Sequence, residues 1–307
     1  MKTLASLAIL TAAAAAIGFP QEPDAAFRTD TRLVEVHATV TDQAGHLLTD
    51  IPQSAFRIYE DDVEQQIKLF SREDAPISLG LIIDNSASMG PKRAKVAAAA
   101  LALVRASNPS DEVFIMKFDD RPAMVQDFTH DIGRMEAALQ KLDATGATAM
   151  RDTLLPASEH LKRLAKNDKK VLLVVTDGED NASIQGIDRV VRSAQQGGIL
   201  VYAIGLLTEE SPRAAERARR DLDILTLEAG GEVFYPKELS EINGIADHVA
   251  HDLRNQYTIA YNPSNQASDG AFRKIRVTVD VPGALVRARS GYYAGGVTET
   301  SDRRIVQ

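Results

Sequence analysis

Apolar and polar residues change their period twice along this chain. From Arg32 to Phe70 they come in short runs that largely alternate. Leu33-Val34-Glu35-Val36-His37-Ala38-Thr39-Val40 is rich in β-branched residues, and Asp42-Gln43-Ala44-Gly45 interrupts it with turn formers. Phe56-Arg57-Ile58-Tyr59 and Gln66-Ile67-Lys68-Leu69-Phe70 resume the strand period on either side of Glu60-Asp61-Asp62. The same period returns near the other end. Tyr257 to Tyr261 reads as a strand, Asn262 to Gly270 as a polar loop, and Lys274-Ile275-Arg276-Val277-Thr278-Val279-Asp280 alternates without a break. Leu285 to Arg289 follows Pro282-Gly283. Three or four strands with one apolar face need a covering layer in water. Segments 27–73 and 256–294 are therefore expected to pair into one small β-sandwich.

Between them, over 76–255, strands alternate with helices. Strands are predicted at Ser78 to Asp84, Val113 to Phe118, Val171 to Thr176, Leu200 to Ile204 and Glu232 to Tyr235. Helices are predicted at Lys92 to Ser107, Asp131 to Leu142, Ala149 to Ala165, Ile187 to Gln196, Ala214 to Ala229 and Leu239 to Asn255. Leu79-Gly80-Leu81-Ile82-Ile83 and Val171-Leu172-Leu173-Val174-Val175 are apolar on both faces, as buried parallel strands must be. The expected fold class is α/β: a doubly wound, mostly parallel, Rossmann-like sheet inserted into the sandwich built from the chain's two ends. Such sheets hold ligands at the carboxyl ends of their strands.

Composition narrows the function classes. Among 307 residues the formal net charge is -8, and the densest basic stretch, Arg213 to Arg220, alternates with Ala and Glu as a solvated helix face does. A nucleic-acid partner would need a concentrated basic face, so none is expected. There is no cysteine, which excludes disulfides, thiolate metal sites and cysteine nucleophiles.

The first twenty residues read as an export signal. Lys2 supplies the positive start, Leu4 to Ile17 is apolar or small throughout, and small residues gather near Ala14 to Ala16 where a signal peptidase would cut. The run is short for a span, which takes about 20 apolar residues. A retained N-terminal anchor is the rival, and would be the only membrane contact. The mature protein is expected outside the cytoplasm, periplasmic or secreted, with 295–307 as a flexible tail.

The candidate chemistry lies at strand ends in the middle region. Asp84 closes the first buried strand, where an unpartnered carboxylate is costly. Ser86 and Ser88 follow at a spacing of two, so a curved loop turns all three toward one point. Thr148 stands in Thr145-Gly146-Ala147-Thr148-Ala149 before a helix, and Asp177 ends a second buried strand. Hydroxyls and carboxylates without imidazole or thiolate suit a hard cation: Mg2+, with Mn2+ or Ca2+ as alternatives. The bland alternative is local: Ser86, Ser88 and Thr148 as helix caps and Asp177-Gly178 as a plain turn. Asp119 and Asp120 read as supporting acids or a turn, and His248 and His251, three apart on a helix, as a solvated face. Asn181-Ala182-Ser183 fits a glycosylation acceptor pattern.

With these residues in view, the middle of the chain resembles a von Willebrand factor A domain. Asp84, Ser86, Ser88, Thr148 and Asp177 match the Asp-x-Ser-x-Ser, Thr and Asp of that family's metal-ion-dependent adhesion site without substitution. The flanks, including Phe56-x-x-Tyr59-Glu60-Asp61 and Gly291-Tyr292-Tyr293, resemble exported bacterial proteins that carry such a domain. The resemblance implies binding, not catalysis: the bound metal takes a carboxylate, from Asp or Glu, of a partner protein. Two rivals stand beside it. A metal-dependent hydrolase would need a general base, with only Glu179 or Asp119 near enough in sequence. A scaffold would use the metal as a structural staple.

Overall fold

The computed structural model describes residues 33–72, 74–106, 108–295 and 299–300. The export segment lies outside them, as does most of the expected tail, of which Glu299 and Thr300 pair with Val34 and Leu33.

The N-terminal strands are β1 (Leu33–Thr41), β2 (Phe56–Glu60), β3 (Val63–Gln65) and β4 (Ile67–Ser71). The α/β region follows. It comprises β5 (Ile77–Asp84), α1 (Arg93–Arg105), β6 (Glu112–Phe118), β7 (Pro122–Thr129), α2 (Ile132–Leu139) and α3 (Met150–Leu164). It continues through β8 (Lys169–Thr176), α4 (Ile187–Gly197), β9 (Ile199–Gly205), α5 (Pro212–Ala229), β10 (Val233–Phe234) and α6 (Ile242–Asn255). The C-terminal strands are β11 (Tyr257–Tyr261), β12 (Phe272–Val279), β13 (Leu285–Arg287) and β14 (Gly291–Tyr293).

The central sheet runs β10-β9-β8-β5-β6-β7, parallel except for β7. Every residue of β5 is buried, as its unbroken apolar run requires between two parallel neighbours and two helical layers. Val96, Leu103, Leu139, Val249 and Leu253 bring α1, α2 and α6 onto one face. Leu154, Leu161, Val190, Leu222 and Leu225 bring α3, α4 and α5 onto the other. At Gly80 a Cβ would meet Phe114 and Leu172 at 2.4 and 2.6 Å, so glycine lets those two side chains close over the strand. Periodicity gave no signal for β7. It opens on Pro122, and its mixed exposure is that of an antiparallel edge strand, where a proline at the first position costs no ladder bond. The helix expected from Leu239 starts at Ile242, after a single tight turn over Leu239–Glu241.

The chain's two ends interleave. One sheet runs β13-β1-β11-β4 and the other β14-β12-β2-β3. β11 sits between β1 and β4 with Val36 opposite Ile259, and β12 pairs β2 with Ile58 opposite Val277. Val34, Val36, Ile58, Ile259, Tyr261 and Tyr292 fill the space between the sheets. The hydroxyls of Tyr261 and Tyr292 both donate to the buried Glu60 carboxylate, at 2.8 and 2.9 Å. On the opposite side of β1, Thr39 is also buried, and its hydroxyl reaches Asp252 of α6 at 2.7 Å. Tyr202 of β9 donates to the same carboxylate at 2.6 Å, and Arg287 of β13 pairs with it. Asp252 therefore fastens the sandwich to the α/β layers.

Candidate metal centre

β5 and β8 are adjacent, so their carboxyl ends carry Asp84 and Asp177 side by side. Both residues are about 2% exposed. Asp84 Oδ1 accepts from the backbone N–H of Ser86 at 2.8 Å, and its Oδ2 from the Thr176 hydroxyl at 2.6 Å. Burial pushes its carboxyl up to about 6 against those hydrogen bonds, with the charge of Asp177 adding to the rise. The Ser88 hydroxyl donates to Asp177 Oδ1 at 2.8 Å, and the Ser86 and Ser88 hydroxyls lie 3.1 Å apart.

Asn85 draws the remaining loop into place. Its side-chain oxygen accepts from the N–H groups of Asp143 and Ala144 at 3.0 Å, and its carbonyl accepts from Thr145 at 2.7 Å. Gly146 follows at φ +84°, a conformation that suits glycine, with Asp119 and Asp120 where a Cβ would sit. Asp120 accepts from Ala147 N–H at 2.9 Å, and the Asp119 carbonyl accepts from Ala149 at 2.9 Å. The two acids thus brace the turn that delivers Thr148. Thr148 itself is buried, donating its N–H to the Asn181 side chain and accepting from the N–H groups of Asn181 and Ala182, each at 3.1 Å.

The five expected residues are brought to one place. Ser86, Ser88 and Thr148 line a cleft of about 380 Å³, with Glu179, Asn181 and Glu210 on its walls. Local capping does not explain the hydroxyls. Ser86 precedes the short Ala87–Met89 turn without a side-chain capping bond, and the N-cap positions of α1 and α3 are Lys92 and Ala149. Nor is Asp177 a plain turn residue, since its oxygens are taken by Ser88 and by Lys92 Nζ at 2.7 Å.

Residues 79–179 match the model of the von Willebrand factor type A domain. The chain carries a von Willebrand factor type A domain. The matched span contains all five residues and reaches from β5 to just past Asp177. The chain is similar in fold to the von Willebrand factor type A protein of Catenulispora acidiphila, at 13% identity and a TM-score of 0.50, over 87% of this chain and 75% of that one. It is also similar to mussel byssus proximal thread matrix protein 1, whose metal-ion-dependent adhesion motif holds zinc, at 16% identity and a TM-score of 0.52. That match covers 64% of this chain and 50% of the mussel protein, so the chain spans about half of that relative's length. No curated protein matches the sequence.

Other candidates resolve differently. His248 lies 3.5 Å from Glu232 and packs edge-on against Phe234, and no group of three or more His, Asp or Glu suited to a metal occurs among the described residues. Asn181 serves the A domain as the partner of Thr148. Glu179 is bound by the Arg217 guanidinium, whose hydrogen bonds hold its carboxyl below the usual range. Asp119 takes hydrogen bonds from Asn85 at 3.2 Å and from Lys117 at 3.2 Å.

Sequence reading missed Thr176, Asn85, Lys92 and Glu209. Thr176 is adjacent to Asp177, and its tie to Asp84 follows only from the β5–β8 register. Lys92 lies in Gly90-Pro91-Lys92-Arg93, which reads as an exposed helix start. It is 4% exposed, and its ammonium contacts Asp177 and Glu209, each at 2.7 Å. Burial works against that charge, yet the hydrogen bonds and charges of Asp177 and Glu209 together outweigh it and raise the Lys92 pKa above the usual lysine value.

Proposed function

We propose that this protein binds a partner protein through a divalent cation held at Asp84, Ser86, Ser88, Thr148 and Asp177. The observation that carries the reading is the state of the hydroxyls: Ser86 and Ser88 line the cleft without a side-chain capping bond, Ser88 donates to the Asp177 carboxylate, and Ser86 lies against Ser88. Two carboxylates and three hydroxyls form an all-oxygen set suited to Mg2+, Mn2+ or Ca2+. A bound metal would supply a positive centre for an incoming carboxylate. The chain's part is to hold its own few charges behind the hydroxyls, so that an Asp or Glu side chain of the partner meets little repulsion. The mussel relative's zinc-occupied motif supports metal competence of a site of this kind.

The two acids expected as general bases of a hydrolase both have partners in the fold. Glu179 is committed to Arg217, and Asp119 to Asn85 and Lys117, so neither is placed as a free general base. A purely structural staple is disfavoured because Asp252 already joins the sandwich to the α/β layers without this site. The apolar run after Lys2 makes an exported location part of the reading. No helix among the described residues is long and apolar enough to cross a membrane.

Calorimetric titration of the full chain with MgCl2 and MnCl2 tests the site. Wild type should bind one equivalent, Asp84→Ala none, and Ser86→Ala and Ser88→Ala should bind more weakly. Equal affinity in wild type and Asp84→Ala refutes the reading. Capture of envelope proteins with and without chelator then tests the partner, whose retention should require the metal.

A further inference from the structure

The ammonium of Lys92 has no place in the five-residue set, yet it sits on it. Nζ lies 2.7 Å from Asp177 Oδ2, the oxygen not used by Ser88, and 2.7 Å from Glu209 Oε2. The surroundings of its two acceptors differ. The Asp177 side chain is 0% exposed and the Glu209 side chain 71%, so one end of the bridge is buried and the other faces water. Lys92 is carried by the residue before α1, and Glu209 by the short turn Leu207–Glu209 that follows β9. Lysine has four rotatable bonds in its stem and a compact, hydrated head, so movement between two nearby carboxylates requires only rotamer changes.

We propose that Lys92 is a tethered competitor for the divalent cation, its ammonium occupying one oxygen of Asp177 and withdrawing toward Glu209 when a metal is bound. The inference rests on the metal-binding reading above and adds to it a residue that sets the affinity. Two buried carboxylates close together destabilise an empty site through mutual repulsion, and the Lys92 charge offsets this. A dication brought to the same carboxylates would be repelled by a fixed ammonium within a few ångströms, and the repulsion is strong where water is excluded. Glu209 supplies the second seat, since without it the withdrawn charge would lack a counter-ion. Lys92 thus keeps the metal-free domain folded and lowers its avidity, so that loading depends on the surrounding metal concentration.

Two variants of opposite expected sign test this. In MgCl2 and MnCl2 titrations of the full chain, Lys92→Met should bind about tenfold or more tightly than wild type, because the competing charge is gone. Glu209→Gln should bind several-fold more weakly, because Lys92 then has only Asp177. Lys92→Gln, which keeps a donor but no charge, should behave like Lys92→Met and serves if the methionine variant folds poorly. The metal-free melting temperature should fall in Lys92→Met while its rise on adding MgCl2 grows. If Lys92 merely positions Asp177, both Lys92→Met and Glu209→Gln bind more weakly; that result, or unchanged affinity in Lys92→Met, overturns the proposal. Failure of the metal site itself is read separately, from Asp84→Ala binding as well as wild type. If no variant and no wild-type protein binds metal, both proposals fall together.

Discussion

The Thr176 hydroxyl donates to Asp84 Oδ2 at 2.6 Å across 92 residues of sequence, joining the ends of two neighbouring parallel strands. The other oxygen of Asp84 is held by its own loop, through Ser86 N–H. One carboxylate thus fixes both the turn after β5 and the spacing to β8. Thr176→Val removes the donor and leaves a buried carboxylate oxygen short of a partner, at a cost of about 1–3 kcal/mol in the metal-free protein. Urea unfolding of Thr176→Val, Asp84→Asn and the double variant should show that the two changes are not additive. Strict additivity would mean that the bond contributes nothing.

Asp252 gathers Thr39, Tyr202 and Arg287 from three different strands and is fully buried. Its removal leaves the Arg287 guanidinium and two hydroxyls without their shared acceptor. Asp252→Ala should lower stability by about 3–5 kcal/mol, the range for breaking a buried charge pair. Limited proteolysis should then cut β1 or β13 before the central sheet. A variant as stable as wild type would show that the sandwich is held by its apolar contacts alone.

His37 of β1 stands opposite Thr258 of β11, its ring nitrogen 3.2 Å from the Thr258 hydroxyl. Burial, aided by the charges of Lys169, Arg289 and Lys170, holds its pKa well below the usual histidine value. Above pH about 6.5 the ring is neutral in both folded and unfolded chains and stability is unaffected by it. As pH falls through that value the unfolded chain takes up a proton that the folded one refuses. Stability therefore falls with acidification, and His37→Gln should flatten the profile below pH 6.5, as measured by urea midpoints. Parallel pH profiles for the two proteins would contradict the buried neutral state.

Gly80 lies mid-strand where the Phe114 and Leu172 side chains close over it. Gly80→Ala should cost about 1–3 kcal/mol through overpacking, although alanine is ordinarily no worse in a strand. Thermal melting measures this. An unchanged or raised melting temperature would mean that Phe114 and Leu172 have room to retreat.

N-terminal sequencing of the protein recovered from an envelope fraction should find the first residue between about Ala15 and Ala26. An intact Met1 on soluble cytoplasmic protein would end the export reading.

The order of residues sets the periods, and the periods carried most of the fold. Unbroken apolar runs at Leu79–Ile83 and Val171–Val175 admit little but buried parallel strands, and alternation at Lys274–Asp280 admits a two-faced one. It also placed Asp84, Ser86, Ser88, Thr148 and Asp177 at strand ends or a glycine-bearing loop, because acids and hydroxyls are conspicuous where burial is expected. Pattern paired the two ends of the chain, but could not decide which strand lies beside which. β7 escaped because an edge strand needs no strict apolar alternation, and its identity comes from β6 beside it. Lys92 and Glu209 lie 117 residues apart, and neither stands out against the other charged residues of helix starts and loops. Only the order β9-β8-β5 in the sheet, with the loops that follow those strands, brings that ammonium between Asp177 and Glu209. Local free energy selects helices and strands residue by residue, whereas a charge's partner is chosen by which strand ends the completed sheet sets side by side.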